Sequence, residues 1–443
     1  MNDKGDAAGR CGLGAVMGYK NLKAVVVRGT SKVMPAHPAE YEELIRSTRE
    51  KIGQAPTAIS LKRFGTDGAM IIGDKTGDTP TKNWSLGETH EFTKPLRPNI
   101  INEKYLVRNR ACYSCPIGCK KIVKVKGEMY RTEEGPGPEY ETCASFGTML
   151  LNKDISAVIK MNEICNRYGL DTISCGSTIA FAMDCLENGL ITEKDTDGID
   201  LRWGNVEAVF EVIEKIVQGE GLGSLLREGS RSAQKKIGKN SMDYSTEVKG
   251  LELPMHDPRA YHGIGLAYAM SNRGGCHLQH MEHFVEIGLA VYPEIGLTGG
   301  YDRLESDGKA EITVPCEDLG MVVGAATICV FVMTCITLND LIGMMRVTTG
   351  FDYDVKEIME CGERLWHLKR AINNSMGIRA CDDRLPSKVM IPFRDGSTKG
   401  SAPDMKSMLN KYYQLRCLDE NGIPHKGKME SLGLLKLFPK LYC

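Results

Sequence analysis

Several things are scarce in this sequence, and each scarcity removes a class of protein. Charge of one sign is missing: 56 basic and 57 acidic side chains leave a formal net charge of −1. Neither nucleic acid nor an anionic membrane surface is favoured as a partner by such a balance. No apolar run reaches the roughly 20 residues that a bilayer-spanning helix needs, so no membrane insertion is expected. The longest candidate, Met321 to Leu338, is interrupted by Thr327, Thr334 and Thr337 and reads as a buried helix. The polar N-terminus has no apolar signal core, which argues against export and for a cytoplasmic location. Aromatic residues make up only 7% of the chain, against 22 methionines and 16 cysteines, so Met and Cys are expected to fill the core. Repeats and low-complexity tracts are absent, and 443 residues suffice for two or three domains.

The cysteines are scattered, and without a signal peptide they read as reduced thiols, some of them metal ligands, rather than a disulfide framework. One stretch stands out: "RACYSCPIGCKK" places Cys112, Cys115 and Cys119 in the spacing C-x2-C-x3-C. Three thiolates this close can wrap one corner of a cubane iron–sulfur cluster, with a remote cysteine closing it. Pro116 and Gly118 let the loop curl so that its amides face sulfur. The order is the reverse of the C-x3-C-x2-C of radical adenosylmethionine enzymes. Zinc is the alternative, but all-thiolate zinc sites usually pair two C-x2-C units, and a second unit is missing. Cys329 and Cys335 are both candidates for the remote ligand, on different faces of an apolar helix.

Along the chain, "LKAVVVRG" (22–29) reads as a strand. From Asn152 onward helical periodicity dominates: 154–168, 172–189, 205–219, 223–238, 318–334, 338–349, 355–373 and 405–415. The glycine-dense start, "GRCGLGAVMG", is not a dinucleotide-binding turn. That motif needs a strand before its glycines and a helix after them, whereas here a strand is expected to follow.

Six motifs stand in order: "AAGRCGLGAVMGYKNLKAVVVRG", "CYSCPIGCKK", "EGPGPEYET", "YGLDTIS", "VKGLELPMHDPRAYHGIGLAYAMSNRGGCHL" and "YYQLRCLDENGIPHKGKMESLGL". Together, over nearly the whole chain, they resemble the aldehyde:ferredoxin oxidoreductase family. The resemblance implies a tungsten (or molybdenum) bis-pterin centre on a β-rich base domain, covered by two largely helical domains. The fold expected here is therefore mainly α: a remnant of the β domain over 1–32, a helical domain with the cysteine cluster over 33–248, and a C-terminal helical domain over 249–443. Most of the first domain is expected to be missing.

Residue by residue, the resemblance implies that Cys112, Cys115, Cys119 and Cys329 hold a 4Fe–4S cluster. One pterin-contact motif is matched by Asn166, Gly169, Leu170 and Asp171, with Asn in place of the leading Asp; the second, at Gly324–Cys329, keeps only its Cys. Arg10 and Gly12 fall in the glycine-rich pterin loop, where Asp6 replaces an Arg, and Arg259 is a candidate for a pterin phosphate. Glu141 and His277 match the acid and histidine beside the metal, with Tyr140 and His256 as neighbours. Lys160 to Glu163 replaces an E-x-x-H pair that holds an interface iron in some members, so that iron is not expected. The implied reaction oxidises a small aldehyde to a carboxylic acid. Glu141 would act as base, His277 as hydrogen-bond donor, and the cluster would pass electrons to ferredoxin or an iron–sulfur subunit. Magnesium, a homodimer and an anaerobic host belong to the same expectation. The competing reading is an iron–sulfur electron-transfer or interaction subunit without pterin catalysis.

Overall fold

The computed structural model describes residues 5–127 and 129–442. Helices dominate, as the periodicity requires: α1 (Leu13–Tyr19), α2 (Pro38–Gln54), α3 (Tyr140–Phe146), α4 (Ile155–Tyr168), α5 (Thr172–Glu187), α6 (Val206–Gln218), α7 (His262–Met270), α8 (Glu282–Glu286), α9 (Lys309–Ala325), α10 (Val330–Met333), α11 (Leu338–Thr349), α12 (Val355–Ser375) and α13 (Met405–Arg416), with further short, unlabelled helices and turns between them. Among the described residues no helix is long and apolar enough to cross a membrane.

Local chemistry sets the ends. Asp154 caps α4 by accepting from the Ser156 and Ala157 amides, and Gly169, with φ of 73°, stops it. Between them Ile155, Val158, Ile159, Met161 and Cys165 turn inward. Capping boxes, Thr337 with Asp340 and Asp354 with Glu357, open α11 and α12. The core is rich in sulfur, with Met70, Met149, Met161, Met255, Cys143, Cys165 and Cys185 essentially inaccessible. Both large hydrophobic clusters draw residues from either side of position 249. Helix α9 forms the spine of the C-terminal half and packs on α7, α12 and α13. It approaches α12 closely because position 362 is glycine; a Cβ there would lie 2.2 Å from the Asp318 carbonyl oxygen.

One small antiparallel sheet positions the chemistry. β1 (Leu106–Arg110) pairs with β2 (Lys120–Val123), and β2 with β3 (Gly135–Pro136). The cysteine loop is the β1–β2 connection, and β3 runs through Gly137-Pro138 into α3, which carries Glu141.

Four expectations need correction. Residues 22–29 form no strand: Val25, Val26 and Val27 are 71%, 90% and 85% exposed, and no described strand offers them an edge. A helix, α1, follows Gly12 directly, because left-handed Gly12 (φ 73°) opens it. Expected helix 223–238 is two helices, broken at Gly229 (φ 83°). Expected helix 318–334 starts earlier and stops at Ala325, where left-handed Thr327 (φ 57°) turns the chain.

Candidate active site and cysteine centre

The break after α9 explains the first site. It puts Cys329 at the start of α10 instead of midway along a helix. Cys112, Cys115 and Cys119 come from the β1–β2 loop, which turns at left-handed Ser114 and Gly118. Cys112, Cys115 and Cys329 lie near enough to Cys119 to act on it as thiolates, and burial first, then Glu139 and these charges, push its thiol up to about 12. Burial also raises Cys329, against the opposing pull of the Phe331 and Val332 amides. Thiols crowded in this way repel one another once ionised, and a bound cation removes that repulsion. An all-sulfur donor set of four suits a cubane cluster and also zinc. Cys335 sits nearby but turns its thiol to the Phe331 carbonyl oxygen at 3.4 Å. None of the described cysteines is disulfide-bonded.

Between this centre and the second site stands Glu139, which immediately precedes α3 and whose carboxylate accepts from Thr66 Oγ1. Two residues on, Glu141 is aimed the other way. Its Oε2 accepts from the Met255 amide at 2.8 Å. Its Oε1 is buried, has no hydrogen-bond partner, and faces both His256 Nε2 and His277 Nε2 at 3.5 Å. The three side chains are 14%, 8% and 15% exposed, closed enough to be poorly solvated but not sealed. Tyr140 braces the group: its hydroxyl donates to the Met255 carbonyl at 2.6 Å and its ring stacks on His256.

The charges follow from burial. Burial raises the Glu141 pKa, with His256, the Met255 amide and Arg10 pulling the other way. Burial also holds His277 well below its ordinary value, helped by His256 when that ring is protonated and by Arg10. For His256 burial opposes the charged form but is outweighed by Asp78 and Glu141, so its pKa is raised. A carboxylate made more basic by burial, beside a neutral imidazole, can take a proton from water while the imidazole offers a hydrogen bond to an oxygen.

Arg10 and Asp171 also meet. Arg10 Nε donates to Asp171 Oδ2 at 2.7 Å, Nη2 to Ser174 Oγ and the Glu252 carbonyl, and Nη1 to the Gly275 carbonyl. Asp171 is further engaged by the Ile173 amide and Ser174 Oγ, so its lone pairs are used within the chain. Gly169 ends α4 and Leu170 packs on the main core. Asn166 lines a separate groove of about 730 Å³ with Arg131, Lys160 and Glu163. Gly12 opens α1, and added Cβ atoms at Gly9, Gly14 and Gly18 would meet nothing within 4 Å. Arg259 turns inward: Nε, Nη1 and Nη2 donate to Asp257, Trp84 and Ile391, and the guanidinium lies 3.5 Å from the Phe393 ring centre. Asp6 pairs with Arg110 and Lys120 beside the cysteine loop.

Asp78 escaped the sequence reading altogether. It lies in "GDTP", nothing in its spacing relates it to position 256, and only the fold brings it to His256, with Oδ2 2.7 Å from Nδ1.

Comparison with known proteins identifies the family. A family model for domains 2 and 3 of aldehyde ferredoxin oxidoreductase matches residues 43–434, and the model for the N-terminal domain of the same family matches residues 1–29. The tungsten-containing aldehyde ferredoxin oxidoreductase of Pyrococcus horikoshii is 37% identical over 442 residues, covering 98% of this chain and 70% of that protein. The WOR-like subunit of an aliphatic sulfonate oxidoreductase from Pyrococcus furiosus is 29% identical over 444 residues, 97% of this chain and 66% of that one. Among solved structures, the active site complex BamBC of benzoyl coenzyme A reductase with 1,5-dienoyl-CoA shares the fold, with a TM-score of 0.76 at 22% identity over 97% of this chain and 70% of the other.

Proposed function

Because the chain belongs to the aldehyde ferredoxin oxidoreductase family, we propose that it oxidises an aldehyde to a carboxylic acid at a tungsten (or molybdenum) bis-pterin centre. The observation that carries this reading is Glu141 Oε1, buried, unpartnered and flanked by two imidazole nitrogens at 3.5 Å. When bound, the bis-pterin metal would accept the two electrons of the oxidation, and a 4Fe–4S cluster would pass them on singly to ferredoxin or an iron–sulfur subunit.

The residues present suit both groups. Cys112, Cys115, Cys119 and Cys329 would hold the cluster, a reading supported by the fold bringing the β1–β2 loop and the start of α10 within electrostatic reach of each other. The uncrowded glycines at 9, 14 and 18 leave a backbone that a flat cofactor can approach. Arg10 and Asp171 would frame it through their carbon skeletons and backbone, because their polar atoms serve each other. Arg259 would brace the neighbouring loop and not a phosphate.

The overall reaction converts RCHO and H2O to RCOOH, two protons and two electrons. Glu141 would take a proton as water adds to the carbonyl carbon. His277, kept neutral, would donate to the substrate oxygen as charge builds on it. Because Glu141 works as a base, activity should fall as pH drops through its raised pKa.

Glu141→Gln keeps the shape and the Met255 bond but removes the base. It should lower kcat by about 10²-fold or more while tungsten and iron content stay unchanged. Wild-type turnover in that variant would overturn the reading. The alternative, an iron–sulfur subunit without pterin chemistry, is favoured by the internal saturation of Arg10, Asp171 and Arg259. Iron without tungsten or molybdenum in the purified protein would decide for it.

A further inference from the structure

Behind Glu141 the protein has built a second carboxylate. Asp78 is buried; its Oδ1 accepts the Asp257 amide at 3.0 Å and its Oδ2 lies 2.7 Å from His256 Nδ1. The opposite nitrogen of the same ring, Nε2, faces Glu141 Oε1 at 3.5 Å. Asp78, His256 and Glu141 therefore stand in line as carboxylate, imidazole, carboxylate. An ionised carboxylate only accepts hydrogen bonds. Nδ1 thus carries the hydrogen, and the neutral ring presents an Nε2 lone pair to Glu141.

We propose that Asp78 and His256 form a proton-holding dyad that relieves Glu141 of the proton it takes from water, a role that rests on Glu141 acting as the base. In this step the O–H bond on Glu141 Oε1 breaks and an N–H bond forms at His256 Nε2; no electron moves. The resulting imidazolium lies between two carboxylates, and Glu141 is ionised again for the second proton of the same oxidation. Asp78 and His256 act through Glu141 and are positioning residues.

The surroundings suit a cation on this one ring. Tyr140 stacks on it with ring centres 5.0 Å apart, His283 lies at 4.2 Å and His277 at 5.7 Å. His277 and His283 are held well below their ordinary pKa, burial first and His256 next, so neither competes for the proton. Tyr140 and Tyr268, whose hydroxyl reaches the His256 carbonyl, are held above theirs by burial and stay neutral. Tyr261, beside His283, is also raised by burial. Arg10 acts on Glu141 and His277, Arg273 and His280 act on His277, and His280 also acts on His283.

Asp78, His256 and His283 offer three atoms within 4.8 Å of one another, a spacing that would also admit a divalent cation. The two ideas differ in whether a hydrogen or a metal occupies the Nδ1 lone pair, and divalent-metal analysis of wild type and Asp78→Asn separates them.

The test compares the holoenzyme with Asp78→Asn and Asp78→Glu, using a small aldehyde and a viologen acceptor across the neutral pH range. In Asp78→Asn, Oδ1 still accepts from Asp257, but an amide N–H now faces Nδ1 and drives the ring hydrogen to Nε2. Nitrogen-15 spectra of histidine-labelled protein should show that tautomer change. We expect kcat to drop by roughly 10²-fold or more. The acid limb of its pH profile reports the first proton taken up by the coupled Glu141–His256 pair and should move about one unit or more to lower pH, because the carboxylate no longer favours that proton on the imidazole. Tungsten and iron should be unchanged, and Asp78→Glu should restore most of the rate. An unmoved acid limb, an unchanged tautomer, or loss of a stoichiometric divalent metal from Asp78→Asn would each overturn the dyad. An inactive Glu141→Gln with a wild-type profile in Asp78→Asn sinks the dyad alone; an active Glu141→Gln sinks the base on which it rests.

Discussion

Replacing Lys309 by Met should destabilise the protein by a calculable amount that a second substitution gives back. Lys309 Nζ sits 2.5 Å from Glu286 Oε1, with the two side chains 2% and 0% exposed, and also donates to the Asp302 carbonyl at 2.6 Å. Glu282 lies on the same face of α8, one turn earlier. Both carboxyls crowd Gly263, where a Cβ would fall 1.9 Å from Glu282 Oε1 and 3.1 Å from Glu286 Oε2. Burial and the neighbouring Glu286 push Glu282 well up, so it is the protonated member. Lys309 therefore balances a single negative charge, on Glu286. Breaking a buried pair typically costs about 3–5 kcal/mol. The orphaned carboxyl can instead take up a proton, which from its ordinary value of 4.5 would cost about 3.4 kcal/mol at neutral pH; Glu286 is already raised in the wild type, so the loss stays below that figure. The pH dependence has a definite sign. Burial already holds the folded pKa of Glu286 above its unfolded value; in Lys309→Met it rises further, so the deficit should be smallest at acid pH and grow as pH rises from the wild-type folded value toward that of the variant. Lys309→Met/Glu286→Gln removes both charges and should recover most of the loss. Urea unfolding of the three proteins followed by circular dichroism gives the numbers. A single variant within about 1 kcal/mol of wild type, or a double variant no better than the single, would refute the reasoning.

Two further outcomes follow from the geometry. Cys329→Ser should lose most cluster absorbance and bound iron, whereas Cys335→Ser, whose thiol bonds the Phe331 carbonyl, should keep both; equal loss in the two would move the fourth ligand. Burial works against ionised Asp383, but Lys249 and Arg370 outweigh it and its pKa is lowered. Its contribution is therefore present above the ordinary carboxylate range and lost as pH falls through the lowered value; Asp383→Asn should flatten the acid-unfolding curve there.

Local signals carried much of this molecule. Asp154 and Gly169 announce the two ends of α4, and the C-x2-C-x3-C loop, Glu141 and His277 stand inside motifs that survive as short strings. What did not show was anything set by distant partners. The valines at 25–27 have every strand propensity, but a strand needs an edge, and none of the described residues supplies one. The stop after Ala325 depends on a left-handed threonine, a conformation that no propensity favours. Arg259 read as an outward fork because its inward partners, two of them carbonyls at 84 and 391, come from remote loops. Asp78 and His256 are 178 residues apart, and a single sequence holds no trace of that pairing.

The four-way clasp of Arg10 bears on how the molecule assembles. Its partners lie 161 to 265 residues further along the chain, on α5, on the segment through Glu252 and at the turn before Cys276. Closing loops of that length is entropically costly, and the socket does not exist until all three segments have met. The segment that carries Arg10 is thus among the last to find its place. Substitutions in its socket should slow the final folding phase and leave the helical body to form at its usual rate.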